Sequence, residues 1–252
     1  MFKHILCPVD FSEPSAHAMR YAVALAQTQH AEITELHVEQ GPVAPEILKK
    51  AAALPADVIV MGTHGAGGFE HLVLGSVAEK VLRKATCPVF TVPPQAQLGP
   101  DAPFNRLVCA VDFSQWSLAA LEEACAIAEE SRGAVTAVHV IEWPWSGGIT
   151  SFEGIPSEQA KALFEYRRYQ ESLAQSRLDN AVQEIAGDRC RVETKIANGK
   201  AYNEIVCAAE RQAADLIVLG VHGRNPLDVF FFGSTTHQVV RRAQCPVLTL
   251  RH

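Results

Sequence analysis

The segment MGTHGAGGFEHLVLGS (61–76) combines residue types and a spacing that suit phosphate binding. Gly62, Gly65, Gly75 and Ser76 have the spacing G-x2-G-x9-G-S, after an apolar run and before a helical one. Glycine lets the backbone turn sharply and approach a ligand without a Cβ in the way, and a helix N-terminus favours an anion. An alternative interpretation needs no ligand, because Ser76 and Glu79 also have the S-x-x-E spacing of a capping box.

The same spacing occurs again near the C-terminus, at Gly220, Gly223, Gly233 and Ser234. The residues between the glycines differ in the two segments, AGGFEHLVL against RNPLDVFFF, whereas the glycines and the serine are shared. We therefore assign a common role to the shared residues. The second segment also contains Arg224, whose guanidinium is suited to a phosphate.

An aspartate follows an apolar run in each half of the chain, in HILCPVDFS (4–12) and RLVCAVDFS (106–114). In a doubly wound sheet, ligands bind beyond the carboxyl ends of the strands, so Asp10 and Asp112 join the glycine segments as candidate site residues. Taken alone, Asp10 also fits a turn-forming aspartate after a strand.

These matches show that the chain is a tandem repeat. HILCPVDFS recurs 102 residues later, whereas ADVIVMGTHG (56–65) recurs 158 residues later as ADLIVLGVHG. The two offsets differ by 56, so the first copy lacks 56 residues that the second copy has. We predict a truncated domain at 1–92, a proline-rich linker at 93–104 and a complete domain at 105–252.

The complete copy alternates short apolar runs with helical segments. Strands are predicted at 106–111, 134–141, 192–196, 216–219 and 247–250, and helices at 117–131, 157 to about 186, 202–212 and 235–243. Continuous Val, Ile and Leu runs are typical of a parallel sheet covered on both faces, so the predicted fold class is α/β, with two doubly wound domains in tandem. The first domain is expected to be shorter by one helix and about one strand.

The long segment from 157 to about 186 is predicted to be a solvent-facing helix that packs on the sheet through Leu178, Val182 and Ile185. Its alternative role is a partner surface. The preceding EWPWSGG is expected to expose two tryptophans, Trp143 and Trp145, to a ligand or a partner. His139 lies in a predicted strand and is expected to be packed rather than functional.

Composition excludes several classes of protein. The 252-residue chain has a net charge of −6, which provides no basic surface for nucleic acid, and no apolar run is long enough to cross a membrane. The N-terminal MFKHILCPVD is strand-like, so we expect no signal peptide and a cytoplasmic location. None of the seven cysteines forms a C-x-x-C pair, which favours buried free thiols over metal or redox use.

Both copies resemble universal stress protein domains over nearly the whole chain. The resemblance is carried by CPVDFS and CAVDFS, by ADVIVMGTHG and ADLIVLGVHG, by the two glycine segments, and by the closing ATCPVFTV and AQCPVLTL. It implies an adenine nucleotide alpha hydrolase-like fold, with a five-stranded parallel sheet in the order 3-2-1-4-5 and pairing of the two domains through their last strands. It also implies ATP binding, because the ATP-binding members of the family keep this glycine motif.

By this resemblance, Asp10 and Asp112 lie at the adenosine end of the site, and Val38 and Val140 contact adenine. Ribose and phosphates are then held through backbone N–H groups by Gly62, Gly65, Gly75, Ser76, Gly220, Gly223, Gly233 and Ser234. The implied cofactor is ATP or a related adenine nucleotide, with or without Mg2+.

The sequence has no Walker lysine, no paired carboxylates and no nucleophile–base motif, so we predict no catalytic residue and no metal ligand. We therefore interpret the chain as a cytoplasmic universal stress protein that binds an adenine nucleotide as a regulatory module, with little or no hydrolysis. The alternative is a nucleotide-independent module that binds proteins or a small ligand. An intramolecular pseudo-dimer is expected, and both a monomeric chain and a homodimer fit the pattern.

Overall fold

The computed structural model describes residues 2–33, 41–64, 74–99, 104–143, 157–221 and 233–251. The elements of the first repeat are β1 (His4–Leu6), α1 (Glu13–Gln29), β2 (Glu32–Ile33), α2 (Val43–Ala53), β3 (Val58–Gly62), α3 (Ser76–Lys84) and β4 (Val89–Val92). Those of the second repeat are β5 (Arg106–Ala110), α4 (Gln115–Ser131), β6 (Ala134–Ile141), α5 (Ser157–Ile185), β7 (Arg191–Asn198), α6 (Ala201–Arg211), β8 (Leu216–Gly220), α7 (Ser234–Arg242) and β9 (Val247–Leu250).

The strands of the described residues form one nine-stranded sheet in the order β2-β1-β3-β4-β9-β8-β5-β6-β7. Strands of the same repeat pair in parallel, and β4 pairs with β9 antiparallel. The second repeat therefore has the strand order 3-2-1-4-5, and the two repeats join through their last strands. Both expectations are confirmed, as is the α/β fold class.

A symmetric pair of threonines lies where the two repeats meet. The Thr91 hydroxyl donates to the Val247 carbonyl at 3.1 Å, and the Thr249 hydroxyl donates to the Val89 carbonyl, also at 3.1 Å. Both threonines are buried. Because a buried hydroxyl needs a hydrogen-bond partner, these reciprocal bonds explain how a polar residue is accommodated in an otherwise apolar pair of strands.

Helices cover both faces of the sheet. One apolar core contains side chains of α1, α4 and α5, including Leu25, Leu121 and Leu178. The other core contains side chains of α2, α3, α6 and α7, including Val81 and Val239. Strands that are buried on both faces have no solvent side, which explains the uninterrupted apolar runs of the sequence. No helix of the described residues is long and apolar enough to cross a membrane.

The first repeat is shorter at one defined place. Residue His4 pairs with Glu32 as Arg106 pairs with Ala134, so β2 is the counterpart of β6. Residues 34–42 alone separate β2 from α2, whereas α5 and β7 lie between β6 and α6. The described residues of the first repeat thus lack one helix and one strand, as predicted. The domain limits at 1–92 and 105–252 stay a prediction.

An aspartate links two strands in each repeat. The Asp57 carboxylate accepts hydrogen bonds from the Lys3 and His4 N–H groups at 2.7 and 2.9 Å. Asp215 does the same for Asn105 and Arg106, at 2.9 and 3.1 Å. The two aspartates therefore satisfy backbone donors at the start of β1 and β5. This explains the Asp of the ADVIV and ADLIV segments, a structural role that the sequence analysis missed.

Candidate functional site

A cleft of about 780 Å³ opens at the carboxyl ends of β5, β6 and β8. Helix α5 borders one side of it, and the N-terminus of α7 borders another. Five residues predicted for the second repeat line this cleft, namely Asp112, Val140, Gly220, Gly233 and Ser234. The fold therefore brings together residues from the strand-end loops that the sequence places far apart.

Asp112 organises the turn between β5 and α4. Its Oδ1 accepts hydrogen bonds from the Ser114 N–H at 2.9 Å and from the Ser114 hydroxyl at 2.6 Å. The Ser114 hydroxyl oxygen in turn accepts from the Ser117 N–H at 3.2 Å and so caps α4. Between them, Phe113 has a φ of 65°. The turn-forming interpretation of this aspartate is therefore confirmed, and the same residue lines the cleft.

The first repeat has the same turn. Asp10 Oδ1 accepts from the Ser12 N–H at 3.1 Å and from the Ser12 hydroxyl, and Phe11 has a φ of 62°. Ser12 is the N-cap of α1. The surroundings differ, because Phe11 is 83% exposed. Phe113 instead lies 4.5 Å from the His139 ring, between centroids, and is covered by a side chain of α5.

Gly220 and Gly62 do not have the positive φ that a sharp turn would require. A Cβ on Gly220 would lie 2.8 Å from the Trp116 carbonyl carbon and 2.9 Å from its oxygen, and one on Gly62 would lie 3.2 Å from the Pro14 oxygen. Each glycine thus allows the end of a strand to approach the first turn of the helix after the first strand. The predicted reason, a turn and close approach to a ligand, is wrong for these two positions.

Gly75 and Gly233 are the N-caps of α3 and α7. Their N–H groups donate to the carbonyls of Thr63 at 2.8 Å and Val221 at 3.2 Å, so a backbone hydrogen bond closes the base of each glycine segment. Ser76 is the first residue of α3 and makes no side-chain capping bond there, so the capping box is wrong.

The N-terminus of α7 has a specific electrostatic character. In the part of the chain that the structure describes, no side chain caps α7, whose first residues line the cleft. The N–H groups of the first turn of a helix have no partner within the helix, and they give this end a partial positive charge. This border of the cleft is therefore suited to an anionic group.

Helix α5 contributes cleft residues that the sequence analysis missed. Gln170, Leu173, Ala174 and Arg177 have the spacing i, i+3, i+4, i+7 and form one stripe along the cleft. The Arg177 guanidinium lies 4.2 Å from the centroid of the Phe113 ring, within range of a cation–π interaction. The available signal was the helical spacing of this stripe, but only the fold shows which face of the helix borders the sheet end.

The other prediction for α5 is confirmed. Leu178 is fully buried, and Val182 and Ile185 pack against the same core. The expected exposure of Trp143 is wrong, because this residue is 7% exposed and its indole N–H donates to the Asn198 side chain at 2.7 Å.

Other predicted residues have different outcomes. His139 is packed as expected, with its Nδ1 at 2.7 Å from the Val111 carbonyl, although it also borders the cleft. Val38, Gly65, Gly223, Arg224 and Trp145 lie outside the described residues. Within the described ranges, no group of three or more His, Cys, Asp or Glu side chains is placed to hold a metal ion.

Comparison with known proteins agrees with this architecture. The sequence model of the universal stress protein family matches residues 1–39, 32–93 and 103–251. The chain belongs to the universal stress protein family.

Curated relatives of this universal stress protein include one from Methanocaldococcus jannaschii, 30% identical over 148 residues, which are 59% of this chain and 82% of the relative. Another is YxiE of Bacillus subtilis, 31% identical over 150 residues, or 59% of this chain and 99% of the relative.

Solved structures show the same fold. A universal stress protein from Archaeoglobus fulgidus superposes with a TM-score of 0.64 at 21% identity, covering 99% of this chain and 96% of that chain. The tandem arrangement as a whole therefore has a structural counterpart. UspA of Lactobacillus plantarum, at 27% identity and a TM-score of 0.50, covers 60% of this chain and 100% of its own.

Proposed function

We propose that the second repeat of this universal stress protein binds ATP or a related adenine nucleotide in its cleft, as a cytoplasmic stress-response regulatory module with little or no hydrolysis. The observation that carries the proposal is the convergence of Asp112, Val140, Gly220, Gly233 and Ser234 on one cleft. The volume of about 780 Å³ lies within the range of ligand pockets, roughly 300–1,000 Å³.

The lining of the cleft matches the parts of a nucleotide. Val138, Val140 and Leu219 provide an apolar surface for a planar base. The Asp112 carboxylate can accept hydrogen bonds from ribose hydroxyls. The N-terminus of α7 suits a phosphate, and the Arg177 guanidinium adds a positive charge at the border.

Slow hydrolysis is expected from the roles that the cleft carboxylates already have. Asp112 Oδ1 accepts two hydrogen bonds from Ser114, and Glu142 Oε1 accepts from the Ala201 N–H at 2.6 Å, at the start of α6. Efficient phosphoryl transfer requires a positioned water and a cation that stabilises the transition state. We therefore propose binding and release of the nucleotide as the functional event.

Calorimetric titration with ATP, in the presence and absence of Mg2+, tests the proposal. Ala174→Trp places an indole on the cleft face of α5 and is expected to weaken ATP binding by more than about tenfold. Ser176→Trp is the matched control, because Ser176 is exposed two residues further along α5, away from the cleft stripe, and should leave binding unchanged. Saturation at one nucleotide per chain is expected for a site in the second repeat.

Two results would contradict nucleotide binding. One is the absence of heat with ATP, ADP and AMP when circular dichroism shows a folded chain. The other is equal binding by wild type and Ala174→Trp, which would locate the nucleotide elsewhere. Native mass spectrometry of the purified protein provides an independent readout, since a bound nucleotide adds its own mass to the chain.

A second candidate function, nucleotide-independent protein binding, is favoured by one observation. Helix α5 exposes four large apolar or aromatic side chains, Phe164, Tyr166, Tyr169 and Leu173. Aromatic residues are enriched at protein interfaces. For this function, partner capture should be lost in Phe164→Ser plus Tyr169→Ser and should be insensitive to ATP and to Ala174→Trp. Capture that requires ATP would contradict it.

A further inference from the structure

Two of the seven free cysteines meet in the second repeat. Cys125 lies on α4 and is fully buried, and Cys190 precedes β7 and is partly exposed. The Cys125 thiol donates a hydrogen bond to the Cys190 sulfur. Cys190 also packs against the same apolar core that contains Cys125. The two residues are distant in sequence, so only the fold brings these thiols together.

We propose that Cys125 and Cys190 form a reversible intramolecular disulfide when the protein meets a hydroperoxide. The site is independent of the nucleotide cleft and goes beyond the proposed function. It requires no movement that brings distant thiols together, because the two sulfurs are already in contact. The other cysteines serve as internal comparisons, since each is a free thiol on the same chain.

The surroundings determine which thiol reacts first. Burial raises the pKa of Cys125 to about 12, and the nearby Cys190 raises it further while Arg189 opposes the rise. Burial also raises the pKa of Cys190, but the hydrogen bond from Cys125 and the Arg189 guanidinium both lower it. The charged groups that face the pair are completed by Glu122 and Glu129 of α4. Cys190 is therefore the more accessible thiol and the one that ionises first.

The reaction has two balanced steps. The Cys190 thiolate attacks one peroxide oxygen, the O–O bond breaks, and hydroxide leaves, so the sulfur is oxidised to a sulfenic acid and the peroxide is reduced. Cys125 then gives its proton to the hydroxide and attacks the Cys190 sulfur, and the S–O bond breaks as a second water forms. The net change is two thiols and one peroxide to one disulfide and two waters. A dithiol reductant reverses it by exchange.

The disulfide would join α4 to the turn between α5 and β7. This turn follows directly from the helix that borders the cleft. The cross-link closes a long loop of chain, and such a loop is the kind whose closure most restricts the unfolded state. Oxidation would thus fix the C-terminal end of α5 on the body of the second repeat.

Peroxide treatment of the full chain, followed by alkylation and peptide mass mapping, tests the proposal. The expected result is one Cys125–Cys190 linked peptide pair, with the loss of two hydrogen atoms from the chain and full recovery with dithiothreitol. Cys190→Ser and Cys125→Ala should each abolish the link. Cys207→Ser is the matched control, because Cys207 is also partly exposed but lies on α6, and it should leave the link intact.

The pH dependence provides a second readout. Since the reactive form is the Cys190 thiolate and its pKa is raised, the rate of disulfide formation should increase as the pH rises from about 7 to about 9. Recovery of Cys125 and Cys190 as separately alkylated or separately oxidised peptides would overturn the proposal. So would an unchanged link in Cys190→Ser, a substitution at a partly exposed position that should fold normally.

Discussion

Glycine at the end of β8 is required by packing, as the position of Trp116 shows. The backbone of Trp116, in the first turn of α4, lies where the Cβ of any other residue at position 220 would be. Gly62 has the same place in the first repeat, with somewhat longer distances to its neighbours. A glycine that resembles part of a ligand-binding motif therefore has a structural reason of its own, and the ligand must be argued from the cleft as a whole.

We predict that Gly220→Ala destabilises the fold by about 1–3 kcal/mol, because the strand end and the helix would have to separate. Gly62→Ala should cost less, since the shortest distances are 3.1 and 3.2 Å there. Urea unfolding measures both. Gly99→Ala is the control, because nothing lies within 4 Å of its added methyl group, and it should change the free energy of unfolding by less than about 0.5 kcal/mol. Equal losses at all three positions would contradict the packing explanation.

Helix α5 performs two tasks with two stripes of residues. One stripe buries Leu178 and packs Val182 and Ile185 on the core, whereas the other places Leu173 and Arg177 at the cleft. The helix is absent from the described residues of the first repeat, where Phe11 is exposed. The same strand-end turn is therefore open in one repeat and covered in the other, which is why we assign the nucleotide site to the second.

Two leucines of α5 separate these tasks. Leu178→Ala should lower the free energy of unfolding by about 2–5 kcal/mol, because it removes a fully buried side chain. Leu173→Ala should lower it by less than about 1 kcal/mol, since Leu173 is 53% exposed, and should instead weaken ATP binding. Thermal or urea unfolding and calorimetric titration give the two readouts. A Leu173→Ala variant as unstable as Leu178→Ala would show that the stripes are not separable.

At the scale of the molecule, the two repeats share one sheet and one continuous core on each face. The core beside α1 and α4 includes Phe90 of β4, Phe104 and Leu248 of β9. The Phe90 and Phe104 rings meet edge to face, with their centroids 5.8 Å apart. The repeats should therefore unfold together rather than as independent domains.

Tryptophan fluorescence can test this coupling, because all three tryptophans belong to the second repeat. Phe90→Ala, in the first repeat, should destabilise the chain by about 3–5 kcal/mol, since Phe90 is fully buried. We expect the fluorescence midpoint in urea to fall together with the far-ultraviolet circular dichroism midpoint. A fall in the circular dichroism signal alone would mean that the first repeat unfolds by itself.

Much of the architecture could be predicted from local pattern. Apolar runs flanked by helical segments predict the strands of the second repeat to within about two residues, for example β6 at Ala134–Ile141 and β9 at Val247–Leu250. Buried parallel strands require such runs, so sequence and structure agree there. The site was only partly predictable. Asp112 and Gly233 stand in recognisable segments, but Arg177 lies on a helix whose cleft-facing stripe depends on how α5 is placed.

The sequence by itself determined the tandem repeat, the α/β class and the missing piece of the first copy, because these follow from repeated motifs and apolar periodicity. Only the tertiary structure decided that the strand-end residues of the second repeat share one cleft, that Trp143 is buried, and that Gly220 is needed for packing. It also decided that Cys125 meets Cys190. The physical reason is distance: contacts between residues far apart in the chain depend on how whole elements pack, which no local pattern records.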